Sequence, residues 1–137
     1  MGLILDSTVL ITGEREAVPL PELLTRIEAK FGSEELAVAA MTAAELVHGV
    51  WRAKDAKVRA WREEFVEEVF ARIATHPFTL QTARILGRID AHTRAKGITI
   101  PTADLSIGAS ALELGFSVLT ANVRRYRMIP NLKVRRW

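Results

Sequence analysis

Apolar residues are arranged along this chain in two rhythms. Short runs such as "GLILD", "ELAVAA" and "FSVLTAN" pack branched and small apolar residues together with little polar alternation. That pattern predicts strands covered on both faces. Longer stretches follow a helical period instead. "PLPELLTRIEAKFG" opens on prolines, places Leu23, Leu24 and Ile27 on one side and stops at Gly32, so it predicts a helix. From Asp55 to Ile73, Val58, Trp61, Phe65, Val69 and Ile73 recur near every 3.6 residues, which predicts a long second helix.

The remaining segments fall into the same two classes. "STVLITGE" predicts a small helical turn directly after the first strand, and "MTAAELVHGVWRA" a helix capped by Thr42. "TARILGRIDAHTRAKG" turns Ile85, Leu86 and Ile89 inward and ends at Gly97. "THPFTL" predicts a third short strand and "NLKVRRW" a closing one. "ITIP" reads with the strands, ahead of a helix over "ADLSIGASALELG". Short apolar strands alternating with helices predict a three-layer α/β/α domain around a mostly parallel sheet of about five short strands. The expectation is one domain over residues 1–137, with no repeat, linker or low-complexity segment.

Composition narrows the classes. A hydrophobic share of 49% beside 26% charged residues is that of a soluble globular chain. No apolar run nears the ~20 residues of a membrane span, and "LAVAAMTAA" is broken by Glu45. The first residues lack the basic segment and apolar core of a signal peptide. There is no cysteine, which excludes disulfides and thiolate metal sites and makes a cytoplasmic location the expectation.

The net charge of +3 is unevenly spread. Arg124, Arg125, Arg127, Lys133, Arg135 and Arg136 give residues 122–137 a local +6, which leaves −3 on the rest. A basic tail on a mildly acidic body suits a polyanionic partner, and it also suits a solvated terminus.

Four polar residues stand at or just beyond the ends of the predicted apolar segments: Asp6, Glu45, Asp104 and Asn122. In open α/β sheets that edge is the ligand face. Each residue has a purely structural reading too. Asp6 and Asn122 can cap helices. Thr42 and Glu45 have the T-x-x-E spacing of a capping box. Asp104 in a first helical turn complements the helix dipole. Taken together, three acids on one face would repel by about 1 kcal/mol or more per close pair. A divalent cation such as Mg²⁺, which takes carboxylates and retained waters, removes that conflict.

With these residues in place, the chain resembles the PIN-domain ribonucleases, specifically the VapC toxins of bacterial toxin–antitoxin pairs. The likeness covers nearly the whole chain. "LILDSTVLI" is similar to the family's opening strand with its first metal-binding aspartate, Asp6, followed by the hydroxyls of Ser7 and Thr8. "TAAELVHGVWRA" matches the helix carrying the second acid, Glu45, ahead of Gly49. "GITIPTADLSIGASALELGFSVLTANVRRY" is the most specific match, aligning Asp104 with the third acid and Asn122 with the fourth position. Many PIN domains have aspartate at that fourth position; asparagine lowers the site's charge and its hold on a second metal.

The resemblance implies a PIN-like fold and Mg²⁺- or Mn²⁺-dependent endonucleolytic hydrolysis of RNA phosphodiesters. Asp6 and Asp104 would bind the metal directly, and Glu45 would act through a metal-bound water or as general base. Thr120 and Asn122 would position water or a phosphate oxygen. Arg124, Arg125 and Arg127 would touch phosphates, with Tyr126 available to stack on a base. A homodimer and a cognate VapB-like antitoxin are implied as well. "PLPELLTRIEAKF" and the Trp51–Trp61 region offer apolar surface for a partner helix. The competing reading is a catalytically silent PIN-like binding module that keeps such a partner. Glu45-x-x-His48 has the spacing of a di-iron ligand pair, but the further glutamates that such bundles need are missing.

Overall fold

The computed structural model describes all 137 residues. Five strands form its centre: β1 (Gly2–Leu5), β2 (Glu35–Ala39), β3 (Ala74–His76), β4 (Ser117–Thr120) and β5 (Val134–Arg136). They lie in the order β3-β2-β1-β4-β5, and every neighbouring pair is parallel. Six helices cover the sheet. On the N-terminal side of the chain come α1 (Ser7–Arg15), α2 (Leu20–Phe31), α3 (Ala40–Arg52) and α4 (Ala56–Arg72). Then follow α5 (Leu80–Ala95) and α6 (Thr102–Leu114).

Alternation along β1 divides the interior in two. Leu3 and Leu5 point into one core with Val9, Leu10, Leu23, Ile27, Leu46, Phe65 and Val69, contributed by α1 to α4. Ile4, between them, points to the opposite face and joins Ile89, Leu105, Ile107 and Ala111 of α5 and α6. Both faces of the sheet are therefore apolar, which is why its strands show no polar alternation. The chain winds from β1 out to β3, then crosses back to lay β4 on the other side of β1. The strand order reverses at that junction, so the carboxyl ends of β1 and β4 flank a crevice.

Two packing details close this crevice. A β-carbon on Gly108 of α6 would lie 2.6 Å from Ile129 Cδ1, so the missing side chain lets the segment after β4 press onto α6. Gly115 ends α6 in the left-handed region, at φ 72°, and turns the chain into β4.

Four local expectations change. "ITIP" forms no strand: Ile98–Pro101 runs straight into α6, with Pro101 at its N-cap, and β4 takes the place beside β1. Ile100 is buried there all the same, so its apolar character serves packing rather than a ladder. The third strand takes in only the first two residues of "THPFTL", ending at His76 before Pro77; Thr79 then caps α5 in a reciprocal bond with Thr82. α3 begins at Ala40, not at a Thr42 cap, and Thr42 is buried in its first turn. On α4 the buried face is Phe65, Val66 and Val69, while Val58 and Trp61 are exposed.

Candidate functional site

Asp6 stands where β1 ends, in the crevice. Its backbone N–H donates to Leu119 O at 2.9 Å and so continues the ladder with β4. The side chain is fully buried, and although Asp6 holds the N-cap position of α1 it makes no capping bond. It accepts instead from Thr8 Oγ1 (2.8 Å), Thr120 Oγ1 (2.7 Å) and the Tyr126 hydroxyl (2.9 Å). A cap would point this carboxylate at its own helix. Here three hydroxyls from three segments aim it into the crevice.

Asp104 reaches the same place from the first turn of α6 and is also buried. Arg125 lies against it: Nε donates to Oδ1 at 2.9 Å, and Nη2 donates to that same oxygen. Arg125 Nη1 stands 3.5 and 3.4 Å from the two oxygens of Asp6. Burial alone would lower the pKa of the guanidinium; the Asp104 hydrogen bond and the neighbouring acids raise it instead and keep it charged. Burial, then the charge of Asp6, raises the Tyr126 hydroxyl and keeps it a donor.

Glu45 comes from α3 and is half-buried. Its Oε1 is enclosed with no hydrogen-bond partner, and Thr42 Oγ1 is equally without one. The T-x-x-E capping box therefore does not exist. Burial, followed by the negative charge of Asp6, pushes the Glu45 carboxyl above its ordinary range. Arg125 and the Ser7 hydroxyl pull it down, and Asp104 adds to the upward push. Glu45 thus feels the charges of both aspartates and of Arg125.

The other expected site residues divide. Thr120 is buried and committed to Asp6 and Thr8, with Oγ1 3.3 Å from that of Thr8, so it orients the carboxylate rather than a phosphate. Tyr126 is fully buried, which corrects the expectation of base stacking: no face of its ring is open to a nucleotide. Arg125 faces the acids rather than the solvent, while Arg124 and Arg127 beside it are exposed. Asn122 is exposed at the rim, and its side chain caps nothing. The role of Arg125 was not legible within a run of basic residues. The one sequence signal for it is its place three positions beyond Asn122, just after the apolar strand "FSVLTAN".

The donor set suits a hard divalent cation. It offers carboxylate oxygens without thiolate or imidazole, and one enclosed carboxylate oxygen lacks any donor. No three acidic or imidazole side chains are yet gathered closely enough to hold an ion between them. Arg125 stands against both aspartates.

A family model described as "PIN domain" matches residues 3–129. The chain belongs to the PIN-domain family. Among curated PIN relatives, Ribonuclease VapC1 of Rickettsia felis is 31% identical over 134 residues, which is 98% of this chain and 95% of that protein. Ribonuclease VapC of Rickettsia bellii is 29% identical with the same coverage of both chains. Among solved structures, VapBC2 from Rickettsia felis bound to a promoter DNA fragment superposes with a TM-score of 0.85 at 20% identity, covering 100% of this chain and 99% of that one. DNA-bound VapBC from Salmonella typhimurium gives 0.84 at 23% identity, covering 100% and 98%. At these identities the likeness of structure establishes the PIN fold.

Proposed function

We propose that this PIN-domain chain is a divalent-metal-dependent endoribonuclease, the toxin of a VapBC-type pair, acting as one domain over residues 1–137. The observation that carries the reading is the enclosed, partnerless Oε1 of Glu45 beside two buried aspartates. Leaving a buried acceptor unsatisfied costs about 1–3 kcal/mol, and stability alone gives no reason to keep it. A catalytically silent binding module is disfavoured on the same ground, and the relatives are named as ribonucleases.

Asp6 and Asp104 would hold Mg²⁺ or Mn²⁺, with Glu45 reaching it through water. A bound divalent ion lowers the pKa of its water and polarises a phosphoryl oxygen. The chain's own residues do the rest. Thr8, Thr120 and Tyr126 fix the orientation of Asp6. Glu45, its proton affinity raised by burial, takes the proton of the attacking water at Oε1. Arg124 and Arg127 at the rim attract the phosphate backbone of RNA. Asn122 lines that rim as a neutral hydrogen-bonding group. A cytoplasmic location, where such a substrate is met, goes with this reading.

A VapB-like antitoxin is the second partner we propose, supported by neighbours that are VapBC complexes. Its place would not be the apolar side of α2, because Leu20, Leu23 and Ile27 are buried in the core. A cavity of about 510 Å³ opens instead between α1, α3 and α4, lined by Ile11, Gly49, Arg52, Val58 and Arg62. Trp51 is exposed on α3 nearby, a fitting anchor for a helix carrying apolar and acidic residues. The homodimer belongs to the proposal through family membership.

The test is sequencing of RNA ends after expression of the wild type, Asp6→Asn and Glu45→Gln. New ends at a defined sequence in the wild type alone support the assignment. The same ends from Glu45→Gln at full yield would end it. Glu45→Gln is the cleaner probe, because both oxygens of Asp6 accept from hydroxyls and an amide nitrogen in place of either would oppose at least one of them.

A further inference from the structure

The charge that neutralises this acid pocket is supplied by the chain itself. Arg125 is the one basic side chain within hydrogen-bond reach of Asp6 and Asp104, and it lies between exposed Arg124 and buried Tyr126. Its fit to Asp104 is poor for an arginine. Nε and Nη2 both converge on Oδ1, and Oδ2 takes no hydrogen bond from the protein. A strong guanidinium–carboxylate pair is a fork on a fork, with two parallel bonds to two oxygens. The contacts to Asp6 are long, at 3.5 and 3.4 Å, and that carboxylate is already held by hydroxyls. The Arg125 side chain also remains partly open to solvent, 23% exposed against 0% and 7% for the two aspartates. A route out is therefore available to it.

Resting on the metal-dependent reading above, we propose that Arg125 is a built-in counter-cation that competes with the divalent ion for Asp104 and Asp6. In the metal-free chain it screens the repulsion between the acids. A divalent ion needs the oxygens that Arg125 covers, and a guanidinium beside a dication is repelled, so only one of the two cations occupies the pocket at a time. The apparent metal affinity is then reduced by the fraction of molecules in which Arg125 is docked. Once displaced, the guanidinium lies at the rim with Arg124.

Binding of Mn²⁺ to metal-stripped protein, followed by isothermal titration or by the EPR signal of free Mn²⁺, tests this without any turnover. Arg125→Ala, and Arg125→Gln in case the smaller side chain loosens the turn, should bind Mn²⁺ at least tenfold more tightly than the wild type. Both should melt at a lower temperature in EDTA. Unchanged or weaker Mn²⁺ binding in both variants, with the wild type binding normally, overturns the competition and leaves the nuclease reading intact. No Mn²⁺ binding by any of the three proteins overturns both. A second measurement uses the wild type alone: the Arg125 Nε–H resonance should shift to a solvent-exposed position on adding Mg²⁺. A resonance that stays fixed at saturating Mg²⁺ refutes displacement.

Discussion

Two glutamates of this chain meet opposite environments. Glu113, near the end of α6, is saturated: Thr79 Oγ1 donates to Oε1 at 2.6 Å, and Thr82 Oγ1 donates to Oε2 at 2.9 Å. His76 Nε2 hydrogen-bonds that second oxygen as well. Burial works to raise its carboxyl, but these bonds, led by Thr79, hold it below the ordinary range. Glu45 has an enclosed oxygen with no donor, and burial and neighbouring acids push it the other way. Donors that exist to satisfy a carboxylate make it part of the scaffold, tying β3, α5 and α6 together at Glu113. A carboxylate with one enclosed oxygen left without a donor is costly in the resting fold and available to something that arrives.

That contrast is broken most directly by the matched pair Glu45→Gln and Glu113→Gln. Glu45→Gln should slow RNA cleavage by roughly 10²–10⁴-fold, the range for loss of a general base. Its urea midpoint should not fall. Glu113→Gln should leave cleavage per folded molecule near wild type and cost about 1–3 kcal/mol of stability, because one of the two oxygens that accept from Thr79 and Thr82 becomes an amide nitrogen. Cleavage of an end-labelled RNA and urea denaturation of the same preparations decide it. A large activity loss at Glu113 with full stability would reverse the assignment of the two residues.

Divalent ions sharpen the same comparison with a smaller effect. Ligand at a hundredfold excess over its dissociation constant stabilises by about 2.7 kcal/mol. Mg²⁺ or Mn²⁺ should therefore raise the melting temperature of the wild type and of Glu113→Gln alike. Asp104→Asn should show little shift in the same thermal scan. Equal shifts in all three would mean that the ions bind elsewhere.

These regions were unequally visible in the sequence. Asp6, Glu45 and Asp104 stand out because each is an acid at or just beyond the end of a predicted apolar segment, where local pattern and site chemistry coincide. The parallel sheet was legible for the same reason: strands buried on both faces carry unbroken apolar runs. "ITIP" was not, since a buried extended segment and a buried strand share one composition and only tertiary placement separates them. Arg125 and Tyr126 read as part of a basic surface, yet the turn after β4 folds them inward, one onto Asp104 and the other onto Asp6. The Glu113 cluster had no signal at all, as His76 and Glu113 meet across 37 positions of sequence. Thr42 and Glu45 had the spacing of a capping box, but the helix starts at Ala40, ahead of it, so the motif had no free end to cap.

The smallest expected effect is one of sign, in stability against pH. Glu113 has a folded pKa below its ordinary value of 4.5. Such a group contributes stability that is fully present above the unfolded value and is lost as pH falls through the folded one. Wild type should thus exceed Glu113→Gln at neutral pH, and the gap should close on acidification below about pH 4.5. Glu45 has a folded pKa above the same reference, so its contribution is present below the unfolded value and is lost as pH rises. In EDTA, Glu45→Gln should match the wild type in acid and overtake it towards neutrality. Urea titrations of the three proteins across that range give the two slopes. Slopes of the same sign would mean that the fold shifts both carboxylates the same way, and the distinction between scaffold and site would have to rest on geometry alone.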